Sequence, residues 1–293
     1  MIDLMAAFPR EHRIKGLIFE YPSLVLAIVV SYIAFVTKIG PEYMKYRKPY
    51  NVRNYARIFN VFQIAANVWY TYNAIMITYR YWGTGRFNVF CTPPTTEQPD
   101  LDIPGDTEYF AFFSVVYFYV RIIDLLDTVM FVLSKKLSHV TFLHVYHHVI
   151  VITTVYLFMR SGWGHTLFYL SILNAIAHSV MCTYSFLSTF PQMKPLLSWK
   201  RYLTTMQIGQ FIIMILYMIT IAPIRCGISP LIWYYTLGHF VLFIFLFGRY
   251  YGKHYQGATK ALVTMLPPPP ALILNASGTA LRGPQDYWVI KEN

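Results

Sequence analysis

A cluster of three histidines, His144, His147 and His148, stands at the start of an apolar segment that runs to Met159. Because residues three and four apart share one face of a helix, the three imidazoles are predicted to lie together. Ionisable side chains at membrane depth are costly and usually mark a functional site. Neutral imidazoles suit either metal ligation or nucleophilic and general-base catalysis near neutral pH, and the spacing alone does not choose between these two chemistries.

A second group of polar residues interrupts the apolar segment before the histidines. It contains Arg121, Asp124, Asp127 and Thr128. At 100° per residue, the first three spread over about 120° of one helix face. Charges in hydrocarbon must face the bundle interior and pair with one another or with neighbours. We therefore expect an internal ion pair that locks helix packing, orients the histidines, or does both.

Two later segments carry polar residues at helical spacing. Asn174, His178 and Met181 form one stripe, and Gln207 and Gln210 follow in the next segment. A single Asn or Gln in a membrane helix usually stabilises helix packing through a hydrogen bond. Because several segments carry such residues at a similar depth, we predict one polar chamber. It should open into an apolar cavity that the rest of the bundle encloses.

The composition indicates the class of protein that must hold this chamber. The chain has 293 residues, of which 56% are hydrophobic and only 13% are charged. A soluble domain would carry about twice that share of charge. The predicted fold class is therefore an all-α polytopic membrane protein. The net charge of +11 is explained by basic cytoplasmic loops, and nucleic acid is not an expected partner.

About seven transmembrane helices are predicted, since each span needs roughly 20 mostly apolar residues. We expect residues 1–21 to form a non-cytoplasmic arm, residues 22–251 the seven-helix membrane domain, and residues 252–293 a mobile cytoplasmic tail. The predicted spans are Pro22–Thr37, Ile58–Tyr79, Phe110–Leu133, Val140–Met159, Thr166–Leu187, Tyr202–Ile221 and Leu231–Phe247.

The distribution of basic residues predicts the orientation of the chain. Lysines and arginines, including Lys135 and Lys136, concentrate in the first, third and fifth loops and in the tail, whereas the second loop is acidic. These basic loops and the C-terminus should be cytoplasmic, and the N-terminus should lie on the other side. Cys91 and Cys226 then fall together on the non-cytoplasmic side, where a disulfide can persist. Cys182 should be a buried thiol.

Several motifs together resemble one family. His144 to His148 resembles the HxxHH box of the ELO very-long-chain fatty acid elongases, and Arg121 to Thr128 resembles their KxxExxDT motif. Asn174 to Met181 resembles NxxHxxMY, and Thr204 to Gln210 resembles TxxQxxQ. The motifs arrive in family order, and the resemblance covers roughly Pro22 to Tyr251.

The resemblance implies a multi-pass enzyme of the endoplasmic reticulum membrane that condenses a long-chain acyl-CoA with malonyl-CoA. The products would be a 3-ketoacyl-CoA, CO2 and CoA, in the first step of fatty acid elongation. No metal and no cofactor beyond these two substrates are implied. Membrane lipids and the reductase and dehydratase of the elongation cycle are the implied partners, and a homo-oligomer is compatible with the resemblance.

The resemblance also implies roles for single residues. His147 would accept the acyl group as an acyl-imidazole, with His178 across from it. His144, His148 and Asn174 complete the catalytic set, and Asn174, Gln207 and His144 are candidates for stabilising a developing enolate or oxyanion. The expected substrate-binding residues are Arg121, Asp124, Asp127, Thr128, Gln207, Gln210, Lys135 and Lys136. The closed end of the acyl tunnel is expected near Ile215, Met218, Ile219 and Leu231.

The chain departs from the family pattern in ways that keep other functions open. Cys182 and Ser185 stand where the family has tyrosines, so a non-catalytic lipid-binding relative is the main alternative. A membrane transporter built around the buried charges is a weaker one, because the outer halves of the segments look apolar. A di-iron desaturase would need about eight histidines in several boxes, whereas this chain has one box.

Overall fold

The computed structural model describes residues 16–82, 106–160, 164–221 and 230–256, and within these ranges the regular structure is helical. The α-helices are α1 (Leu17–Glu20), α2 (Pro22–Ala34), α3 (Gly40–Met44), α4 (Arg53–Trp82), α5 (Asp106–Ile123), α6 (Leu125–Leu133), α7 (Phe142–Arg160), α8 (Gly164–Ser188), α9 (Lys200–Ile221) and α10 (Pro230–Tyr251). Short 3-10 or π-helical turns occupy Phe35–Ile39, Leu137–His139, Pro191–Leu197 and Gly252–Gln256.

The helices confirm the prediction of an all-α, multi-pass membrane protein. Among the residues that the structure describes, five stretches are long and apolar enough to cross a membrane by length and composition: Pro22–Met44, Phe142–Arg160, Tyr169–Ser188, Pro195–Thr220 and Pro230–His254. α4 and α5 are not among them, so the count of seven spans stays a prediction. Large apolar side chains such as Ile58, Leu216 and Phe245 are exposed on the outer surface, as expected where lipid replaces water.

Six helices close a ring around the centre of the bundle. Neighbours pack in the order α4, α5, α7, α10, α9, α8 and back to α4. α7 and α10 run antiparallel, as two hydrogen bonds between them show. Near the start of α7, Tyr146 bonds to His239 of α10. Two turns further along α7, Thr153 bonds to Tyr235, which lies one turn earlier in α10. The ring places one face of every one of these helices around a common interior.

The first predicted span differs from the structure at its end. Instead of stopping at Thr37, the helix continues through a π-helical turn at Phe35–Ile39 into α3. The Gly40 amide reaches the Phe35 carbonyl, and Pro41 lies in the first turn of α3, where a missing N–H is tolerated. Gly40 is also packed closely against α6. A Cβ at this position would lie 2.7 Å from Val132 Cγ1.

The third predicted span is divided in the structure. α5 ends at Ile123 and α6 begins at Leu125, so Phe110–Leu133 is not one uninterrupted helix. At the junction the Asp127 amide bonds to the Asp124 carbonyl at 3.1 Å, three residues back rather than four. The junction coincides with the buried carboxylate of Asp124, which lies at the centre of the site described below.

Chain contacts divide the protein into two units, Met1–Tyr251 and Gly252–Asn293. The first unit contains the ring, and the described part of the second is the π-helical turn at Gly252–Gln256. The predicted mobility of residues 252–293 therefore stays a prediction. Cys91 and Cys226 lie outside the described residues, so their predicted disulfide is also untested, whereas Cys182 is a buried free thiol as expected.

Candidate functional site

The three histidines of the cluster occupy the first two turns of α7. Thr141 caps this helix, because its Oγ1 accepts the backbone N–H of His144 at 3.2 Å. The ring of His148 lies 4.6 Å from that of His144 and 5.7 Å from that of His147, edge-on in both cases. The predicted cluster is therefore present, and all three imidazoles are in or near contact.

His178 of α8 joins the cluster from across the bundle. Its ring stacks against that of His147 with centroids 6.0 Å apart and planes at 28°. On the other side, His178 Nδ1 lies 3.6 Å from Asp124 Oδ2, and Asp124 Oδ2 lies 3.1 Å from an Arg121 guanidinium nitrogen. The internal ion pair predicted from the sequence is thus formed, and it stands directly behind the pair of stacked imidazoles.

Asn174 links the ion pair to the interior of the ring. Its Oδ1 accepts a hydrogen bond from the Tyr117 hydroxyl at 2.7 Å and another from Arg121 at 3.1 Å. An amide whose oxygen is occupied by two donors keeps its NH2 group for other acceptors. Asn174 can therefore offer an N–H donor to a bound oxygen atom.

Thr128 connects the first spanning helix to the histidines. The Tyr32 hydroxyl lies 2.8 Å from Thr128 Oγ1, which in turn lies 2.9 Å from His144 Nε2. Tyr32 belongs to α2, outside the ring, so this chain of bonds fixes His144 from behind. The carboxylate of Asp127, which the sequence placed in the same group, makes no hydrogen bond or ion pair within the described part of the chain.

The two glutamines of α9 have different positions. Gln207 donates to the sulfur of Met181 at 2.7 Å and is half-buried. Gln210 is buried, contacts Met214 Sδ at 3.8 Å, and lines the central cavity. Of the two, Gln210 is therefore the residue that a molecule in the cavity would meet.

Lys135 and Lys136 form the end of α6 and are exposed. Lys136 N bonds to Phe131 O at 2.9 Å and Lys135 N to Val132 O at 3.0 Å, with Lys135 at a φ of 56°, which is a Schellman C-cap. The Lys135 ammonium bonds to the Lys45 carbonyl at 3.3 Å. The structure thus gives both lysines a clear local role in ending a helix.

His139 follows in the same loop and contacts the site indirectly. Its ring stacks on Phe131 at 5.0 Å, and Phe131 lies 5.8 Å from the ring of His144. Burial, and then the charges of Lys200 and Lys136, lower the pKa of His139 below its usual value. The His139 imidazole packs on Phe131 as an aromatic ring.

A cavity of about 710 Å³, open end included, lies inside the ring. All six helices contribute to its lining, for example through Tyr70, Tyr117, His147, Asn174, Gln210 and His239. Lining residues on α7 extend from His147 to Met159, which corresponds to about 18 Å along the helix axis. The cavity is therefore elongated along α7.

The cavity distinguishes His147 from the other site histidines. His147 belongs to its lining, whereas His144, His148 and His178 lie behind the wall. Phe243 of α10 stands beside this imidazole, 5.4 Å from its ring. A molecule in the cavity would therefore meet His147 and Asn174 directly, and the other groups would act through them.

The position of the closed end of the tunnel stays a prediction. None of Ile215, Met218, Ile219 and Leu231 lines this cavity, although Met218 is fully buried. Ile219 and Leu231 are 50% and 58% exposed, so they face away from the interior. A hydrophobic helix gives little periodicity from which an inward face can be chosen. Cys182 and Ser185, which raised the question of activity, are also absent from the cavity wall.

Sequence reasoning missed several members of the site. Gln63 and Asn67 of α4 are buried behind Arg121, with 0% and 1% of their surface exposed. Their i, i+4 spacing in a membrane segment was a usable signal. Tyr32, Tyr117 and the Tyr146–His239 hydrogen bond were also missed, since aromatic residues are common throughout the chain.

Within the described residues no group of three or more His, Cys, Asp or Glu side chains is arranged to hold a metal ion. The imidazoles of the cluster instead contact one another edge-on or by stacking. The site therefore consists of an accessible imidazole and an amide donor in the wall of a partly open cavity, with a buried ion pair behind them.

Comparison with known proteins identifies relatives of this chain. The profile of the GNS1/SUR4 family, also called ELO, matches residues 17–262. A very long chain fatty acid elongase of Aedes aegypti is 32% identical over 242 residues, which is 82% of this chain and 64% of that protein. Very long chain fatty acid elongase 5 of Mus musculus is 29% identical over 267 residues, covering 86% of this chain and 82% of the mouse protein.

Very long chain fatty acid elongase F of Drosophila melanogaster is also similar, with 29% identity over 240 residues that cover 80% of this chain and 89% of the fly protein. The chain thus spans slightly less than two thirds of the mosquito relative and most of the other two. Because the family profile covers most of the sequence, this chain belongs to the GNS1/SUR4 (ELO) family.

Proposed function

We propose that this protein condenses a long-chain acyl-CoA with malonyl-CoA, giving a 3-ketoacyl-CoA, CO2 and free CoA. The names of its relatives support a role in fatty acid elongation. The observation that carries the proposal is the position of His147, which alone among the four site histidines lines the cavity. An accessible imidazole in the wall of an elongated, mostly apolar cavity suits transfer of a long acyl group.

In the first half-reaction an imidazole nitrogen of His147 attacks the thioester carbon of the acyl-CoA. The carbon–sulfur bond breaks, CoA leaves as the thiol after taking up the proton released by the imidazole, and an acyl-imidazole remains. The NH2 group of Asn174 is suited to stabilise the negative oxygen that develops on the thioester carbonyl. His178 would position the His147 ring through their stacking contact.

In the second half-reaction malonyl-CoA loses CO2, and the electron pair of the broken carbon–carbon bond forms an enolate. The enolate carbon attacks the acyl-imidazole carbonyl, the carbon–nitrogen bond breaks with its electron pair on nitrogen, and the imidazole takes up a proton from water to restore neutral His147. The product is a 3-ketoacyl-CoA two carbons longer than the acyl group supplied. A ketone of this kind needs a reduction, a dehydration and a second reduction to become a saturated chain.

The remaining groups have supporting roles in this proposal. Arg121 and Asp124 would hold Asn174 and His178, and Thr128 would hold His144. Gln210 is placed to contact substrate in the cavity. Lys135 and Lys136 would meet the CoA phosphates at a cytoplasmic mouth in the endoplasmic reticulum membrane, with the N-terminus in the lumen.

The test is malonyl-CoA incorporation by microsomes that contain the protein, measured with a panel of acyl-CoAs of about 12 to 24 carbons. The longest of these acyl chains is about as long as the hydrocarbon core of a bilayer is thick. Radiolabelled 3-ketoacyl products that depend on both substrates would support the proposal. Acyl-CoA binding without incorporation would instead support a non-catalytic lipid-binding relative, and the proposed reaction would be rejected.

A further inference from the structure

The Arg121 guanidinium is held from α4, a helix to which no catalytic side chain has been assigned. Asn67 is 1% exposed, and its Oδ1 accepts a hydrogen bond from Arg121. Its Nδ2 donates to the Gln63 carbonyl at 2.7 Å and to Gln63 Oε1 at 3.2 Å. Because one side of the amide meets only acceptors and the other meets a donor, its orientation is defined.

Arg121 has three partners in the site. One terminal nitrogen lies 3.1 Å from Asp124 Oδ2 and 3.1 Å from Asn174 Oδ1, and the other terminal nitrogen donates to Asn67. Because the guanidinium is a rigid planar fork, fixing one terminal nitrogen also fixes the direction of the other. The bond to Asn67 therefore determines how Arg121 reaches Asn174 and Asp124.

The neutral charge of Asn67 matters as much as its position. Asp124 is the one carboxylate paired with Arg121 among the described residues, and the same oxygen faces His178 at 3.6 Å. A second carboxylate at position 67 would compete for the guanidinium and would add negative charge behind the imidazole stack. An amide supplies an acceptor without that competition.

We infer that Asn67 is a positioning residue for the condensation reaction, acting through Arg121 on Asn174 and on the Asp124–His178 contact. The inference rests on the proposed function and assigns α4 a part in it. It predicts that Asn67 affects the chemical step much more than substrate binding, because Asn67 itself does not line the cavity.

The chain offers a matched control on the same helix. Asn60 lies about two turns before Asn67 and is also buried, with 6% of its surface exposed. Its Nδ2 donates to the Ala56 carbonyl at 2.7 Å, within its own helix. Asn60→Leu therefore removes a buried amide from α4 without touching Arg121, and it measures the cost of that change to the bundle alone.

The experiment compares kcat and KM of purified wild type, Asn67→Leu, Asn67→Asp and Asn60→Leu, with malonyl-CoA and a saturated acyl-CoA as substrates. Both Asn67 variants should lower kcat about 10- to 100-fold, as loss of an outer partner of a site residue typically does. Their KM values should stay within about two-fold of wild type. Asn60→Leu should keep kcat within about two-fold.

Asn67→Asp tests the neutral charge of the amide. The carboxylate keeps an acceptor for Arg121, but it adds a buried negative charge and loses both hydrogen bonds to Gln63, so kcat should fall if the amide sets the charge around Asp124 and His178. Nearly normal kcat for Asn67→Asp would therefore overturn the inference. An equal loss in Asn67→Leu and Asn60→Leu would overturn it too. Thermal unfolding of each purified variant in detergent shows whether it is folded, and only folded variants are compared. If Asn67→Leu does not fold, the comparison uses Asn67→Asp alone.

A double-mutant cycle tests the route through Arg121. Arg121→Lys keeps the charge but loses the planar fork. If Asn67 acts through that fork, adding Asn67→Leu to Arg121→Lys should lower kcat no further, whereas multiplied losses would reject the route. A wild type without malonyl-CoA incorporation would reject the proposed function and the inference with it. If wild type incorporates malonyl-CoA but the Asn67 variants behave like Asn60→Leu, the inference is rejected and the proposed function stands.

Discussion

His147 and His178 stack with ring centroids 6.0 Å apart, yet they face different surroundings. His147 lines the central cavity, whereas His178 is 5% exposed and lies beside Asp124. One imidazole of the pair is thus accessible to a bound molecule, and the other is connected to the buried ion pair. Under the proposed function, His147 would therefore act as the nucleophile and His178 would support it.

His147→Ala should abolish condensation, because no other imidazole of the cluster lines the cavity. Incubation of wild type with acyl-CoA alone, followed by denaturing mass spectrometry, should show one acyl adduct that the variant lacks. His254→Ala changes an exposed histidine and should keep both adduct and turnover. Normal turnover by His147→Ala would disprove the acyl-imidazole mechanism.

Met214→Trp should shorten the longest product. Phe211 stacks on Phe243, which touches His147, and Met214 lies about one turn beyond Phe211 on the cavity wall. A larger side chain there should exclude the end of a long acyl chain by a few carbons while turnover of shorter acyl-CoAs stays within about two-fold, since the block is remote from the chemistry.

The neighbouring residue Ile213 is a control for this prediction. It belongs to the same helix but is 52% exposed on the outer surface, so Ile213→Trp should leave the product lengths unchanged. Gas chromatography of products from an acyl-CoA panel measures both variants. Identical product lengths in Met214→Trp and wild type would show that the acyl chain does not occupy this part of the cavity.

Gly40→Ala should destabilise the fold. The added Cβ would lie 2.7 Å from Val132 Cγ1 and 2.8 Å from the Phe35 carbonyl oxygen, so α3 and α6 would have to separate. Overpacking of this kind typically costs about 1–3 kcal/mol. Gly209→Ala, with no atom near the new Cβ, should be neutral or slightly stabilising. Thermal unfolding in detergent compares them, and equal midpoints would contradict the close packing.

Cys91 and Cys226 should form a disulfide in protein isolated without reductant. Closing a loop of this length stabilises a fold by roughly 3–5 kcal/mol in the chain-entropy model. Alkylation of unreduced, denatured protein should then label Cys182 alone, which is the buried free thiol. Labelling of all three cysteines would exclude the pairing, and reduction before alkylation is the control that all three can react.

The class of fold and the histidine cluster were predictable from the sequence. Low charge and long apolar runs leave few alternatives to a helical membrane bundle, because only helices satisfy their own backbone groups in lipid. The spacing of His144, His147 and His148 also defines a shared helix face without knowledge of any neighbour. Both predictions therefore depend only on composition and on the spacing of residues close together in the sequence.

The partners across the bundle were decided by the tertiary structure. Nothing in the sequence pairs Asn67 with Arg121 or Tyr32 with Thr128, because each of these bonds joins helices far apart in the chain. The same holds for the cavity wall, where Met214 faces inward and Ile213 outward on an apolar helix. An apolar helix can expose any of its faces to lipid. The packing of the six helices of the ring against one another therefore decides which residues face the interior.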